Sequence, residues 1–418
     1  MSHNVLHQYI SKIEGHGQLK YCAQKGSVQV VIDEGERLFE KLVVGKSYKD
    51  VSFITARICG VCPTAHTFAA LDAVEHAFEV SINDSIKNLR RSLVAAQIVQ
   101  SHALHLFFLV IPDFLKVKNS IELYEKDPRI FKLASDLKHI ADEVIEVIGG
   151  RAVHPVSPSV GGFHSVPERK EIETLIVKVR RSLRLAQETL DLFAGFRYPY
   201  LQRKTNLFAL TENGVIDTLG DTIVGSDGTE TSITNYQYVF NEVVKSYSTA
   251  KFAEHNGKGL LVGAIARVNM MEIEDFNPKT QEAIKDFKIQ LPIINTFKNN
   301  LAQAIEILHY LEEIERTLTE YLWGKKERMN VGYRVQEAVG VAAIEAPRGT
   351  LYHMYKFDKN GIVKECDIIT PTVQNLTNLE DDANTYLKQN KSVTIPRREQ
   401  ELEMLVRAYD PCITCSVH

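Results

Sequence analysis

Two CxxC pairs stand at opposite ends of this chain. Cys59 and Cys62 form the first, Cys412 and Cys415 the second, and about 350 residues lie between them. A thiol pair at this spacing can converge on one ion, and Gly60 permits the tight turn inside the first pair. Taken alone, that pair fits a metal site, half of a zinc site or a thioredoxin-like dithiol. Four thiols together could close a structural zinc site. Zinc ribbons, however, keep their pairs close in sequence. Here almost the whole protein intervenes, so a shared site would require the fold to tie its two ends together inside its core. The other cysteines, Cys22 and Cys366, stand alone. Six cysteines in 418 residues exclude a disulfide scaffold, and two CxxC pairs in a cytoplasmic-type chain point to metal or redox chemistry.

Composition narrows the function classes. Lys and Arg number 49 against 53 Asp and Glu, a net charge of −4, which argues against nucleic-acid binding through bulk positive charge. Hydrophobic residues at 44% and charged residues at 24% are those of a globular chain. The most apolar run, 103–112, is too short to span a bilayer and contains His105. The first 17 residues have no apolar core followed by a small-residue cleavage site. A cytoplasmic protein with no direct membrane span is expected.

Helical periodicity dominates. Apolar residues recur at three- and four-residue spacing over 65–80, 86–109, 136–148, 171–193, 280–291 and 292–320, and Pro112 is expected to end or kink the second of these. Strand signals cover 27–32, 259–264 and 361–370, and 213–232 reads as turns with short strands. Asp358-Lys359-Asn360-Gly361 marks a hairpin between 351–357 and 362–369. The expectation is one mainly α body over 1–418, built on a central helix bundle. A small β subregion is expected, with β-rich segments near 20–35, 213–265 and 350–370.

The motif contexts carry more. Arg57-Ile58-Cys59-Gly60-Val61-Cys62 with His66 downstream, and Asp410-Pro411-Cys412-Ile413-Thr414-Cys415-Ser416-Val417-His418 at the end, resemble the large, catalytic subunit of nickel–iron hydrogenases. Lys12–Gly17 (KIEGHG), Glu345–Gly349 (EAPRG) and Thr370–Asn375 (TPTVQN) agree, so the resemblance runs from residue 12 to 418. Residues 160–330 add little to it.

The resemblance implies a nickel–iron centre. Cys59 and Cys412 would be terminal thiolates on nickel, and Cys62 and Cys415 would bridge nickel and iron; soft thiolates suit both metals. The iron would carry CO and two cyanides. Arg348 would hydrogen-bond one cyanide and the Thr372 hydroxyl the other, with Ala346 and Pro347 as wall. His66 would hydrogen-bond a bridging sulfur. Asp410 and Arg57 would be charges around the thiolates. Heterolytic cleavage of H2 releases a proton that needs a base; Glu14 in the EGH motif would carry it away from the sulfur of Cys412. A buried divalent ion, Mg2+ or Fe2+, would be held by Glu40, the Ile368 carbonyl and His418. The final His418 matches a mature form left by a maturation peptidase.

Ser101, where uptake-type relatives have Asp, and PTVQN resemble the cytoplasmic, bidirectional subgroup (group 3). That implies NAD(P)-linked turnover through an iron–sulfur small subunit, bound as a tight heterodimer, and further diaphorase or electron-transfer subunits. Ferredoxin, coenzyme F420 and heterodisulfide reductase are the alternative carriers. Beyond the four motif cysteines only Cys22 and Cys366 remain, too few for a cubane, so electrons must leave through another polypeptide. A metal-free respiratory-complex relative would have lost cysteines that are all present here, and a zinc-stabilised interaction subunit is the other alternative. His102 and His105, at i and i+3, fit a packed helix better than a metal site.

Overall fold

The computed structural model describes residues 5–22 and 27–418, with the side chains of 5–9, Cys22 and Ser120 outside that description. Its centre is a bundle of four long helices, Asp84–Leu104, Pro128–Gly149, Arg169–Ala194 and Asn299–Trp323. Asn299–Trp323 packs on Asp84–Leu104 and on Arg169–Ala194, and Pro128–Gly149 closes the ring between the same two partners. Each start has a local cause. The Asn83 side chain accepts from the amide of Ile86 at 3.0 Å, Asp127 accepts from Arg129 N at 3.1 Å with Pro128 in the first turn, and Glu168 with Glu171 forms a capping box. Asp84–Leu104 is buried on nearly every side, as the innermost helix of a bundle should be. With its continuation to Leu115 it is long and apolar enough to cross a membrane by length and composition, and 83% of that window is buried inside the protein.

The helices differ from their sequence patterns at three ends. Pro112 neither ends nor sharply breaks its helix. A π-helical stretch, His105–Val110, comes just before it, and the helix resumes over Ile111–Leu115. Proline lacks a donor and clashes with the carbonyl four residues back, and the wider π turn accommodates both. The pattern over 280–291 yields a helix only over Pro278–Asp286. Lys288, in the left-handed region at φ 53°, lets Ile289 N close on Ile284 O at 3.0 Å, a helix stop usually made by glycine. The pattern over 292–320 starts late, at Asn299, because the Asn269 side chain pins the Ile293 backbone through two hydrogen bonds.

Five small sheets surround the bundle. The one that matters most is antiparallel, with strands Ala338–Ala346, Gly349–Phe357 and Val363–Ile369 in that order. Its first hairpin turns on Pro347 and Arg348, with Ala346 opposite Gly349. Gly349 has φ 128°, and a Cβ there would lie 2.3 Å from Val262 Cγ2. The second turn is the expected one, Asp358 accepting from the amides of Asn360 and Ile362. The helix Pro63–Ala77 lies on this sheet so closely that a Cβ on Gly340 would meet the Ala73 carbonyl. Strand 27–32 forms as Ser27–Ile32, alternating half-buried and buried, in a three-stranded sheet with Gly17–Cys22 and Val5–Tyr9; residues 23–26 of the expected 20–35 segment lie outside the described residues. Only Leu260–Leu261 of 259–264 is strand, since Gly263 turns the chain and Ala264 opens a helix. One cluster of buried apolar residues runs from Ile10 to Val417 and takes in all four motif cysteines.

Candidate metal centre

Each cysteine pair is set by its own loop. Cys59 leaves a one-turn 3-10 helix in extended backbone, and the amides of Val61 and Cys62 then point at its sulfur from 3.2 and 3.4 Å. Pro63 opens the long helix immediately after Cys62, so the first pair sits at a helix N-terminus, which favours thiolates. Cys412 precedes a one-turn helix, Ile413–Ser416, and its amide donates to Thr372 Oγ1 at 3.0 Å.

The two loops meet. Cys59 Sγ is 3.3 Å from Cys412 Sγ, Cys62 Sγ 3.5 Å from Cys415 Sγ, and Cys412 Sγ 3.0 Å from Cys415 Sγ. All four sulfurs lie within 4.8 Å of one another and are buried. Among the described residues no other group of His, Cys, Asp or Glu gathers in this way. Burial pushes the Cys412 and Cys415 thiols far up, while hydrogen bonds from Cys412 and Cys415 hold the Cys59 thiol well below its usual range. Four sulfurs in a dry pocket cannot all ionise unless a cation replaces their protons, so the pocket fits a metal.

The wall beside the sulfurs is charged and tightly braced. Arg348 donates through Nε to the Asp410 carbonyl at 2.7 Å and through Nη2 to Asp410 Oδ1 at 2.8 Å. Its Nη1 is buried with no partner, a free donor on a side chain only 6% exposed. Thr372 Oγ1 accepts from Cys412, which leaves its own proton to give. These unspent donors suit small anionic ligands better than a closed tetrahedral zinc site would require. Ala346 and Pro347 are fixed from behind by Arg267, which donates to the Ala346 carbonyl at 3.0 Å and the Pro347 carbonyl at 3.2 Å. Arg267 is itself clamped by both oxygens of Glu306 and by Glu345.

His66 Nε2 lies 3.7 Å from Cys415 Sγ. Burial lowers His66 to about 3, so the ring is neutral. Its Nδ1 meets His353 Nε2 at 3.2 Å, and His353 Nδ1 meets the Tyr355 hydroxyl at 2.6 Å. Glu14 comes to the other side of the cluster. Its carbonyl accepts from Ile413 N at 3.0 Å and its carboxylate from Thr414 N at 3.1 Å and from the Thr414 hydroxyl. That hydroxyl is 3.7 Å from Cys412 Sγ, so Thr414 lies between sulfur and carboxylate.

Glu40, Ile368 and His418 also converge. Glu40 Oε1 accepts from Ile368 N at 2.8 Å, and His418 Nε2 is 2.9 Å from the Ile368 carbonyl and 3.9 Å from Glu40 Oε1. An imidazole and two oxygen donors suit a hard divalent ion that keeps several waters.

Two expectations change. Arg57 is exposed, where solvent screens it; the guanidinium whose charge reaches Cys59 is that of Arg348. Asp410 serves Arg348 rather than facing the sulfurs alone. His102 bonds Glu306 and His105 bonds Gln303 and the Arg407 carbonyl, both within the packed helices. Thr414, Arg267, His353 and Arg37, whose side chain touches both cysteine loops, went unmarked in the sequence; only Thr414 lies inside a motif, and the others meet their partners across long stretches of chain.

A family model for nickel-dependent hydrogenases matches residues 37–142 and 225–418. The alpha chain of sulfhydrogenase 1 from Pyrococcus furiosus is 34% identical over 98% of this chain and 96% of its own length. The large chain of the F420-non-reducing hydrogenase from Methanothermobacter marburgensis is 29% identical over 98% of this chain and 93% of its own. The crystal structure of an NAD+-reducing [NiFe]-hydrogenase superposes with a TM-score of 0.85 at 25% identity, covering 98% of each chain. The chain belongs to the nickel-dependent hydrogenase family: it is the catalytic large subunit of a nickel–iron hydrogenase, an oxidoreductase of the kind that pairs with a small subunit.

Proposed function

We propose that Cys59, Cys62, Cys412 and Cys415 hold one nickel–iron centre whose iron carries CO and cyanide. On this reading Cys59 and Cys412 are terminal on nickel, and Cys62 and Cys415 bridge. The carrying observation is the convergence of four buried thiols beside the unpartnered Nη1 of Arg348. When bound, such a centre supplies the reversible heterolytic cleavage of H2. The chain's own groups do the rest. Arg348 and Thr372 offer donors to the diatomic ligands, and Ala346 and Pro347 keep that wall dry and fixed. Asp410 orients the Arg348 fork. His66, kept neutral by burial, donates from Nε2 toward Cys415 and tunes that sulfur. Glu14 takes the proton that leaves Cys412 Sγ.

Electrons leave through an iron–sulfur small subunit, then through further diaphorase subunits, to a soluble carrier, NAD(P), in the cytoplasm; a maturation peptidase completes the chain. The structural likeness to an NAD+-reducing enzyme supports that carrier. The test is metal analysis of the purified complex with H2-dependent reduction of NAD+, NADP+, ferredoxin and F420. About one nickel and one iron at the four thiols, and reduction of NAD+ or NADP+, are expected. A single zinc would refute the centre, and reduction of ferredoxin or F420 alone would refute the carrier.

The Glu40, Ile368 and His418 cluster is proposed to bind Mg2+ or Fe2+ and to tie the C-terminal turn down. Glu40→Gln, or deletion of His418, should weaken nickel retention against a chelator by about tenfold, the scale of supporting-ligand losses, and lower the thermal midpoint. Nickel retention and melting equal to wild type would place the divalent ion elsewhere.

A further inference from the structure

We propose that Arg37 is a positioning residue that latches the C-terminal cysteine loop onto the N-terminal one. Arg37 Nη2 donates to the Ile58 carbonyl at 2.7 Å and also to the Thr414 carbonyl. Ile58 immediately precedes Cys59, and Thr414 immediately precedes Cys415. A terminal guanidinium nitrogen carries two N–H groups in one plane, so one atom holds two carbonyls at a set separation. The Arg37 amide adds a third tie, to the Val417 carbonyl at 2.8 Å. The side chain lies over the Phe39 ring, 5.2 Å from its centroid, and makes no ion pair among the described residues. Its charge is therefore available to strengthen the two carbonyl bonds.

The latch divides the work at the tail. Thr372 and Glu14 hold residues 412–414 through the amides of Cys412, Ile413 and Thr414. Arg37 holds the last stretch, from the Thr414 carbonyl to Val417, which contains Cys415. Nothing covalent joins the two cysteine loops, and the spacing between Cys62 and Cys415 depends on ties of this kind. Loss of Arg37 should therefore free Cys415 and His418 and spare Cys412.

The nickel consequence rests on the proposed metal assignment; the structural one does not, and the experiment separates them. Amide hydrogen exchange is followed by mass spectrometry in the full-length complex, wild type against Arg37→Met. Exchange at 415–418 should rise about tenfold or more, as expected for losing bonds to a charged donor. Exchange within Asn299–Trp323 should not change. Arg37→Lys, which keeps the charge without the fork, should recover part of the protection. Unchanged exchange at 415–418 would overturn the latch, and so would a uniform rise through the bundle, which would make Arg37 a general stabiliser. Should Arg37→Met not accumulate, Arg37→Gln, too short to reach both carbonyls, is read by the same two criteria. Nickel per chain should fall in the variant. Absence of nickel from the wild type would instead count against the metal assignment and leave the exchange result standing.

Discussion

Cys412→Ser is expected to abolish H2 turnover and nickel retention together. Cys412 Sγ is the most crowded of the four sulfurs, 3.3 Å from Cys59 and 3.0 Å from Cys415. A serine hydroxyl does not ionise near neutral pH and is a hard donor, so the substitution removes both an anionic charge and a soft ligand. Supporting residues around a metal typically cost about 10–100-fold in affinity when lost, and a direct ligand costs at least that much. The fold should survive. Serine is close in volume to cysteine, and the tie that places this residue, its amide to Thr372 Oγ1, is a backbone bond. Cys366→Ser is the matched control, since Cys366 lies half-buried outside the four-thiol group. Elemental analysis and H2 uptake on the two variants give the answer. A Cys412→Ser protein that kept its nickel and its turnover would end the assignment of this sulfur.

The cysteine pairs were legible because everything that identifies them is local. CxxC spacing, the glycine between, the proline that opens the next helix and the flanking motif residues are all contiguous. The bundle was legible for a similar reason, since Arg169–Ala194 and Pro128–Gly149 carry their apolar stripes and caps in their own sequence. The hairpin at 358–361 was read from its turn residues alone. What escaped depends on pairings no local pattern encodes. Arg37 meets Thr414 across 377 residues, and Arg267 meets Glu345 across 78. Both are ordinary surface residues by type, made special by what the fold brings to them. The helix ends failed differently. Lys288 adopts a conformation that glycine usually signals, and the strain at Pro112 is absorbed by the π turn before it, so local rules gave the wrong stop in both places.

Glu14→Gln is expected to stop proton exit while leaving the metals in place. The Glu14 carboxylate accepts from Thr414 N and from the Thr414 hydroxyl, and that hydroxyl reaches toward Cys412 Sγ at 3.7 Å. A proton on the Cys412 sulfur thus has one hydroxyl between it and a half-buried carboxylate. Gln can keep the geometry, its carbonyl accepting from one Thr414 group and its amide donating to the other, but it cannot take up a proton. Positioned acid–base groups typically contribute about 10²–10⁴-fold, and H2 turnover should fall within that range. Exchange of deuterium between H2 and solvent should fall with it, because it needs the same proton path. Conversion between para and ortho H2 needs no solvent proton and should persist, which separates a blocked relay from a damaged centre. Nickel content equal to wild type makes the same distinction independently. Glu14→Asp, which retains a carboxyl at shorter reach, should fall between the two. Normal solvent exchange in Glu14→Gln would mean that the proton leaves by another route, and the carboxylate would then be only a tie for the Thr414 loop.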